Sequence, residues 1–302
     1  MPAEAPDAPE ILGGRYLIGK LVGTGSSGSV YLARERSTGR RVAIKIREAK
    51  EEDQPVRFIA EAQAMARLVH PRLVHVEDSG QEGSLYWFTM PYYAQGSLRD
   101  RVRQEGTIPP DRALEWTFEI LEGLAAVHGA QLVHRDVKPH NVLLDDEGHA
   151  LLTDFGLVRH VGGGVPYRTR TDQSMGTPNY RAPEQAADAA RVDHRADIYG
   201  VGANLYFLLT GRRPGFLYMV DADDPVLEAV PAPLRPFILK CMSYDPADRY
   251  PDARACADEL ARLYDELPQR AGQRPSRRAW MARFDRGGRE GMWSRIRGWI
   301  PF

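Results

Sequence analysis

Cysteine is scarce in this 302-residue chain, which holds only Cys241 and Cys256. Two thiols fifteen residues apart match no metal-cage or redox spacing and are too few for a disulfide framework. They read as core residues in a reducing compartment. Long apolar runs are missing too: no stretch of about 18 uncharged apolar residues occurs, so no membrane-spanning helix is expected. The opening MPAEAPDAPE is acidic and proline-rich, unlike a signal peptide, and residues 1–13 are expected to be a disordered leader. A cytoplasmic location follows as an expectation. Net charge is almost absent, at −1, but it is unevenly spread. From Pro268 to Phe302 nine arginines stand against two acids, a balance of +7 that leaves −8 on the rest.

What is present is a change of pattern along the chain. RYLIGKLV, SVYLARER and RVAIKI alternate apolar and polar residues as strands do, with STGR at 37–40 as a turn. QPVRFIAEAQAMARLV then places Phe58, Ala62, Met65 and Val69 on one helical face. RLVHVEDSG and SLYWFTM read as two further strands. Beyond them PPDRALEWTFEILEGLAAVHG is an amphipathic helix with Leu114, Phe118, Leu121 and Leu124 inward, and DIYGVGANLYFLLTG is apolar nearly all round, a buried helix closed by Gly211. AVPAPLRPFILKCM and DARACADELARLY complete a helical region. The pattern predicts an α+β chain of two lobes, strand-rich then helix-rich.

The glycine-rich GTGSSGSV, residues 23–30, lies between the first two strands. A dinucleotide fingerprint needs a helix after its glycines, and here a strand follows, so the cluster is the tip of an antiparallel hairpin. Glu61 shares the inward face of the first helix, where a carboxylate is costly without a cation. Further on, HRDVKPHN (134–141) holds Asp136, Lys138 and Asn141, and Pro139 prevents helix there. NVLLDDEGHALLTDFG then forms a hairpin turning at DDEG, which brings Asn141 and Asp154 to one end. One carboxylate and one amide oxygen suit Mg²⁺, which keeps several waters and shares phosphate oxygens.

These stretches, together with VAIK (42–45) and GTPNYRAPE (176–184), make the sequence resemble the eukaryotic-type protein kinase family, bacterial members included, over about residues 15–264. The resemblance implies a kinase domain over 14–264, with a small antiparallel sheet lobe and one helix (14–90), a hinge (91–95) and a larger mainly helical lobe (96–264). It implies ATP as phosphoryl donor, held under Val22, Gly23, Thr24, Gly25, Ser26, Ser27, Gly28, Ser29 and Val30. Ala43, Val30 and Leu143 would sandwich the adenine, with Met90 behind it and the backbone of Pro91 and Tyr93 at its edge. Lys45 would serve the α and β phosphates, steadied by Glu61. Asp136 would be the base, Lys138 a charge on the moving phosphoryl group, and Asn141 and Asp154 the ligands of Mg²⁺ or Mn²⁺. By the same resemblance Arg249 pairs with Glu184, Asp197 holds the catalytic-loop backbone, and His134 packs in the core.

The long segment ending in APE distinguishes a protein acceptor from a small-molecule phosphotransferase, and Lys138 with Thr177 resembles serine/threonine rather than tyrosine kinases. A pseudokinase that only binds is the competing class, against which stand Lys45, Asp136, Asn141 and Asp154, all present. Arg135 is a latent anion site for phosphorylated Thr169 or Thr171, which predicts autophosphorylation of the activation segment. The tail from 265 to 302 has no counterpart in the family. It carries three of the five tryptophans beyond residue 279 and places Met292, Trp293, Ile296, Trp299 and Ile300 on one helical side. Two readings stand: docking on an anionic membrane surface or partner groove, hence a peripheral membrane location, or folding back on the acidic body. No nucleic-acid partner is expected.

Overall fold

The computed structural model describes residues 10–25, 28–49, 56–154, 159–160, 178–187, 192–266 and 281–282. Strands β1 (Ile11–Leu12), β2 (Tyr16–Gly25), β3 (Gly28–Glu35) and β4 (Arg41–Glu48) run antiparallel in sequence order. Helix α1 (Val56–Arg67) follows, then β5 (Asp78–Glu82) and β6 (Leu85–Pro91), with β6 inserted between β4 and β5 to give the order β1-β2-β3-β4-β6-β5.

Alternation along β4 sets the two faces of this sheet. Val42, Ile44 and Ile46 enter an outer cluster with Leu12, Tyr16, Tyr31 and Trp87, whereas Ala43 belongs to the main core. Because side chains alternate, Lys45 faces the same way as Ala43, toward the helical part. Phe58 of α1 packs on Phe88 of β6, ring centres 5.0 Å apart, and so fixes the helix on that face.

The helical part begins with α2 (Leu98–Glu105) and α3 (Pro110–Gly129). A short strand β7 (Leu132–Val133), a 3-10 turn at Pro139–Asn141, and the pair β8 (Val142–Leu144) and β9 (Ala150–Leu152) come next. β10 (Arg159–His160) pairs with β7. Then follow α4 (Glu184–Ala187), α5 (Arg195–Thr210), α6 (Arg235–Cys241) and α7 (Ala253–Glu266). α5 is buried from Ala196 to Thr210, as its all-round apolar sequence predicts, and stops at Gly211, whose φ of 67° is the left-handed cap. Leu114, Phe118, Leu121 and Leu124 of α3 are all fully buried. The two parts join where Leu73 bridges Leu152, and within the helical part Ser97 bridges Leu143.

Two expectations need correction, and one helix has no counterpart in the sequence pattern. Val69 is exposed, since α1 ends at Arg67 and the chain turns so that Leu68 enters the core instead. RLVHVEDSG becomes strand only at Asp78, because residues 73 and 74 pair with Leu152 of the other part rather than with the sheet. α2 was not expected, as it carries only two buried residues, Leu98 and Val102; a reciprocal cap between Ser97 and Asp100 starts it. The leader up to residue 9 and nearly all of the tail lie outside the described residues. Within the tail Met281 packs against the main core. No helix among the described residues is long and apolar enough to cross a membrane.

Candidate active site

The turn after β7 is held open by the central helix. Asp197, fully buried on α5, accepts the backbone N–H of His134 at 2.9 Å and of Arg135 at 2.7 Å, and His128 Nε2 lies 2.8 Å from the same carboxylate. Against the opposing effect of burial, His128 chiefly, and then the His134 ring and backbone N–H, hold the Asp197 carboxyl below its usual range. Two turns along α5, Asn204 donates to the carbonyl of Val137 at 3.1 Å. Between them a Cβ on Gly200 would stand 2.7 Å from that carbonyl, so only glycine admits the approach. His134 is fully buried with Nε2 3.0 Å from the carbonyl of Thr153, a core role as expected. Arg135 is forced to φ 66°, a left-handed turn that presents the next residue outward.

That next residue is Asp136. Lys138 Nζ donates to its Oδ2 at 2.5 Å, and Asn141 Nδ2 donates to both its Oδ2 and its backbone carbonyl at 2.9 Å. Asn141 thereby holds Asp136 in one rotamer and directs its own amide oxygen elsewhere. β8 pairs with β9 in the register Val142↔Leu152, and Thr153 N–H donates to the carbonyl of Asn141 at 3.0 Å. The hairpin thus brings Asp154 beside Asn141, as the spacing predicts. Asp154 also sits in a left-handed conformation, φ 63°.

From the sheet side Lys45 Nζ donates to Asp154 Oδ1 at 2.6 Å. The lysine side chain is 3% exposed and the aspartate 41%, so a buried ammonium from one lobe reaches a half-open carboxylate of the other. The sequence reading also gives Lys45 a partner in Glu61. Glu61 lies on α1, but its side chain falls outside the described residues. The Lys45–Asp154 contact joins residues 109 apart, a distance at which no local pattern signals a partner.

The glycine hairpin is where it is expected, with Gly23↔Val30 and Gly25↔Gly28 facing across β2 and β3, and Val22 and Thr24 exposed on β2. Ser26 and Ser27 lie outside the described residues. The three glycines differ in what they do. A Cβ on Gly28, at φ 136°, would stand 2.6 Å from the Ile46 carbonyl, so packing demands glycine there. A Cβ on Gly23 would meet nothing within 4 Å, so packing does not demand glycine there. Ser29 is buried, and Val30 and Leu143 are partly buried against the core that contains Ala43 and Met90. Met90 pairs with Ala43 across the sheet, Pro91 ends β6, and burial pushes the Tyr93 phenol up to about 12. Val30, Ala43, Met90, Tyr93 and Leu143 thus belong to one apolar cluster. A small pocket elsewhere, lined by Phe58, Ala62, Tyr86 and Trp87 between α1 and β5–β6, contains none of them.

The segment ending at Glu184 is tied to the helical part. Arg249 donates to Glu184 Oε1 at 2.6 Å and Oε2 at 2.7 Å, a bidentate pair. Gln185 adds a donor to the carbonyl of Arg135 at 2.8 Å, linking that segment directly to the catalytic turn. Thr169 and Thr171 lie outside the described residues. Arg135 itself donates from Nη2 to the carbonyl of Val192 at 3.0 Å.

The family model described as protein kinase domain matches residues 16–260. The chain belongs to the protein kinase family. Serine/threonine-protein kinase PknL of Mycobacterium tuberculosis is 38% identical over 272 residues, covering 85% of this chain and 67% of that protein. PrkC of Bacillus subtilis is 33% identical over 269 residues, 84% of this chain and 41% of that protein. PknB of M. tuberculosis is 33% identical over 282 residues, 87% and 45% respectively. The kinase domain is thus what these proteins share with this chain, which spans under half of two of them.

Sequence reading missed several residues that support the site. His128, Gln185 and Asn204 each hold the catalytic turn, yet each is a polar residue in a helical stretch with no local signature. A buried ionic group was missed as well: Arg72 reaches Glu119 and Glu122 of α3 at 3.3 Å each, and His149 Nδ1 lies 2.7 Å from Glu119.

Proposed function

We infer that this protein kinase domain transfers the γ-phosphate of ATP to serine and threonine hydroxyls of proteins. The observation that carries the reading is Asp136, fixed by Asn141 and Lys138, facing the end of the cleft where Lys45 meets Asp154.

The chemistry follows from charge and position. Asp136 accepts the hydrogen bond of the incoming hydroxyl, orients it in line, and takes its proton as the bond to the γ-phosphorus forms and the bond from that phosphorus to the β,γ-bridging oxygen breaks, releasing ADP. Lys138, now on Asp136 Oδ2, shares its charge with the phosphoryl group brought to the same place. Lys45 is positioned to serve the α and β phosphates once ATP competes with Asp154 for its ammonium. Asn141 and Asp154 fit a hard divalent cation, Mg²⁺ or Mn²⁺, as an oxygen donor pair at one end of the β8–β9 hairpin. Such an ion would neutralise phosphate charge. Positioning and charge neutralisation supply most of the rate, proton transfer the rest.

The finer parts of the reading are proposals as well. Thr169 or Thr171 is the autophosphorylation site, with Arg135 receiving the phosphate by exchanging its carbonyl partner at Val192 for a charged one. The tail folds on the body rather than onto an anionic membrane; Met281 against the core supports this. Incubation with ATP and Mg²⁺, followed by phosphosite mapping, tests the acceptor. Phosphate on Ser and Thr of a generic protein acceptor, and on Thr169 or Thr171 of the chain, is expected. Phosphotyrosine alone, or transfer only to a small alcohol, contradicts the acceptor reading.

A further inference from the structure

The two cysteines meet. Cys241 is the last residue of α6 and Cys256 lies in the first turn of α7, and their sulfurs are 3.8 Å apart with neither residue exposed. α6 reaches this position because α5 yields to it. A Cβ on Gly202 would stand 2.6 Å from Cys241 Cβ, so glycine at 202 is what lets α6 settle with its terminal thiol against α7. The chain has no third cysteine, so no other thiol of this chain competes for either sulfur.

We propose that Cys241 and Cys256 form a reversible disulfide site, closed by a hydroperoxide-class oxidant and reopened by a dithiol. The sulfurs must approach by about 2 Å from 3.8 Å to reach bonding distance. One thiolate attacks a peroxide oxygen. The O–O bond breaks, hydroxide leaves and becomes water, and the sulfur is left as a sulfenic acid. The second thiol attacks that sulfur, the S–S bond forms, the S–O bond breaks, and a second water departs. Two thiols are oxidised by two electrons and one peroxide is reduced to two waters.

Burial and the neighbouring Cys241 push the Cys256 thiol well up, so thiolate is scarce and closure is slow. The bond would close the segment 242–255 on itself. That segment contains Arg249, which holds Glu184 and also donates to the carbonyls of Ser243 and Tyr244. Oxidation therefore fixes both ends of the strap that anchors the end of the activation segment.

The full chain, treated with hydrogen peroxide and then alkylated after denaturation, tests this. Met219 is 74% exposed, and its sulfoxide reports that oxidant has acted. The expected result is loss of both alkylatable thiols, a Cys241–Cys256 linked peptide two hydrogens lighter than its two component peptides, and return of both thiols with dithiothreitol while Met219 stays oxidised. The unfolding temperature should rise by on the order of 5–10 °C, a shift absent from Cys256→Ala. Two alkylatable thiols remaining after Met219 is fully oxidised would overturn the proposal. So would conversion to sulfinic acid or to a disulfide between two chains. The wild-type measurement decides even where Cys256→Ala does not fold.

Discussion

Arg249 has no exposed side-chain surface, and its guanidinium is committed to Glu184 and to the carbonyls of Arg195, Ser243 and Tyr244. Removing Glu184 leaves a buried cation without its counter-charge. Glu184→Ala is expected to cost about 3 kcal/mol of stability in urea unfolding, because breaking one side of a buried pair costs more than the pair itself contributes. This pair was legible in the sequence through motif position alone. The cluster of Arg72, Glu119 and Glu122 was not. Nothing in EWTFEILEG marks Glu119 and Glu122 as buried; Arg72 from another segment, with His149 and the Ala150 N–H on Glu119, makes their burial tolerable.

Histidines give a second residue-scale prediction. Burial, and secondarily the Arg72 charge, push the His70 imidazole down to about 4, and its Nδ1 accepts the Arg72 N–H at 3.1 Å. His140 is likewise lowered to about 4, chiefly by burial. An unfolded chain binds these protons near pH 6.5, whereas the folded chain refuses them until about pH 4. Stability is unaffected above pH 6.5 and falls as pH drops from 6.5 toward 4. His70 contributes about 1 kcal/mol per pH unit in that window. Thermal unfolding at pH 7, 6 and 5 should show the fall, and His70→Asn, which keeps an acceptor, should reduce its slope.

At the scale of elements, one face of α5 is devoted to the catalytic turn. Asp197, Gly200 and Asn204 are spaced i, i+3 and i+7, and they meet the backbone of His134, Arg135 and Val137 in turn. Gly200→Ala should push Val137 away and displace Asp136. A fall in kcat of about 10–100-fold is expected, with a stability loss of about 1–3 kcal/mol in the same protein. The element itself was easy to read, because an all-apolar stretch ending in glycine predicts a buried, capped helix. Its duties were not, since nothing in DIYGVGAN separates a residue that packs from one that holds a loop. α2 shows the opposite case: two apolar residues in eight make no stripe, and only its SLRD cap signals a start.

For the whole molecule, the alternation of β4 and the β8–β9 hairpin bring Lys45 and Asp154 together from opposite lobes. Motif order predicts that both residues belong to one site. It does not predict that they pair with each other in this structure, because that contact depends on how the lobes meet. The central claim is that Asp136 orients the acceptor while Lys45 serves the donor phosphates. Its most direct test is transfer of labelled γ-phosphate from ATP to a protein acceptor by the wild type, Asp136→Asn and Lys45→Met, with unfolding temperature and nucleotide binding measured on each. Both variants should remain folded and lose at least about 100-fold in rate. Asp136→Asn should keep its affinity for ATP, and Lys45→Met should weaken it. Equal labelling by all three proteins would contradict the account.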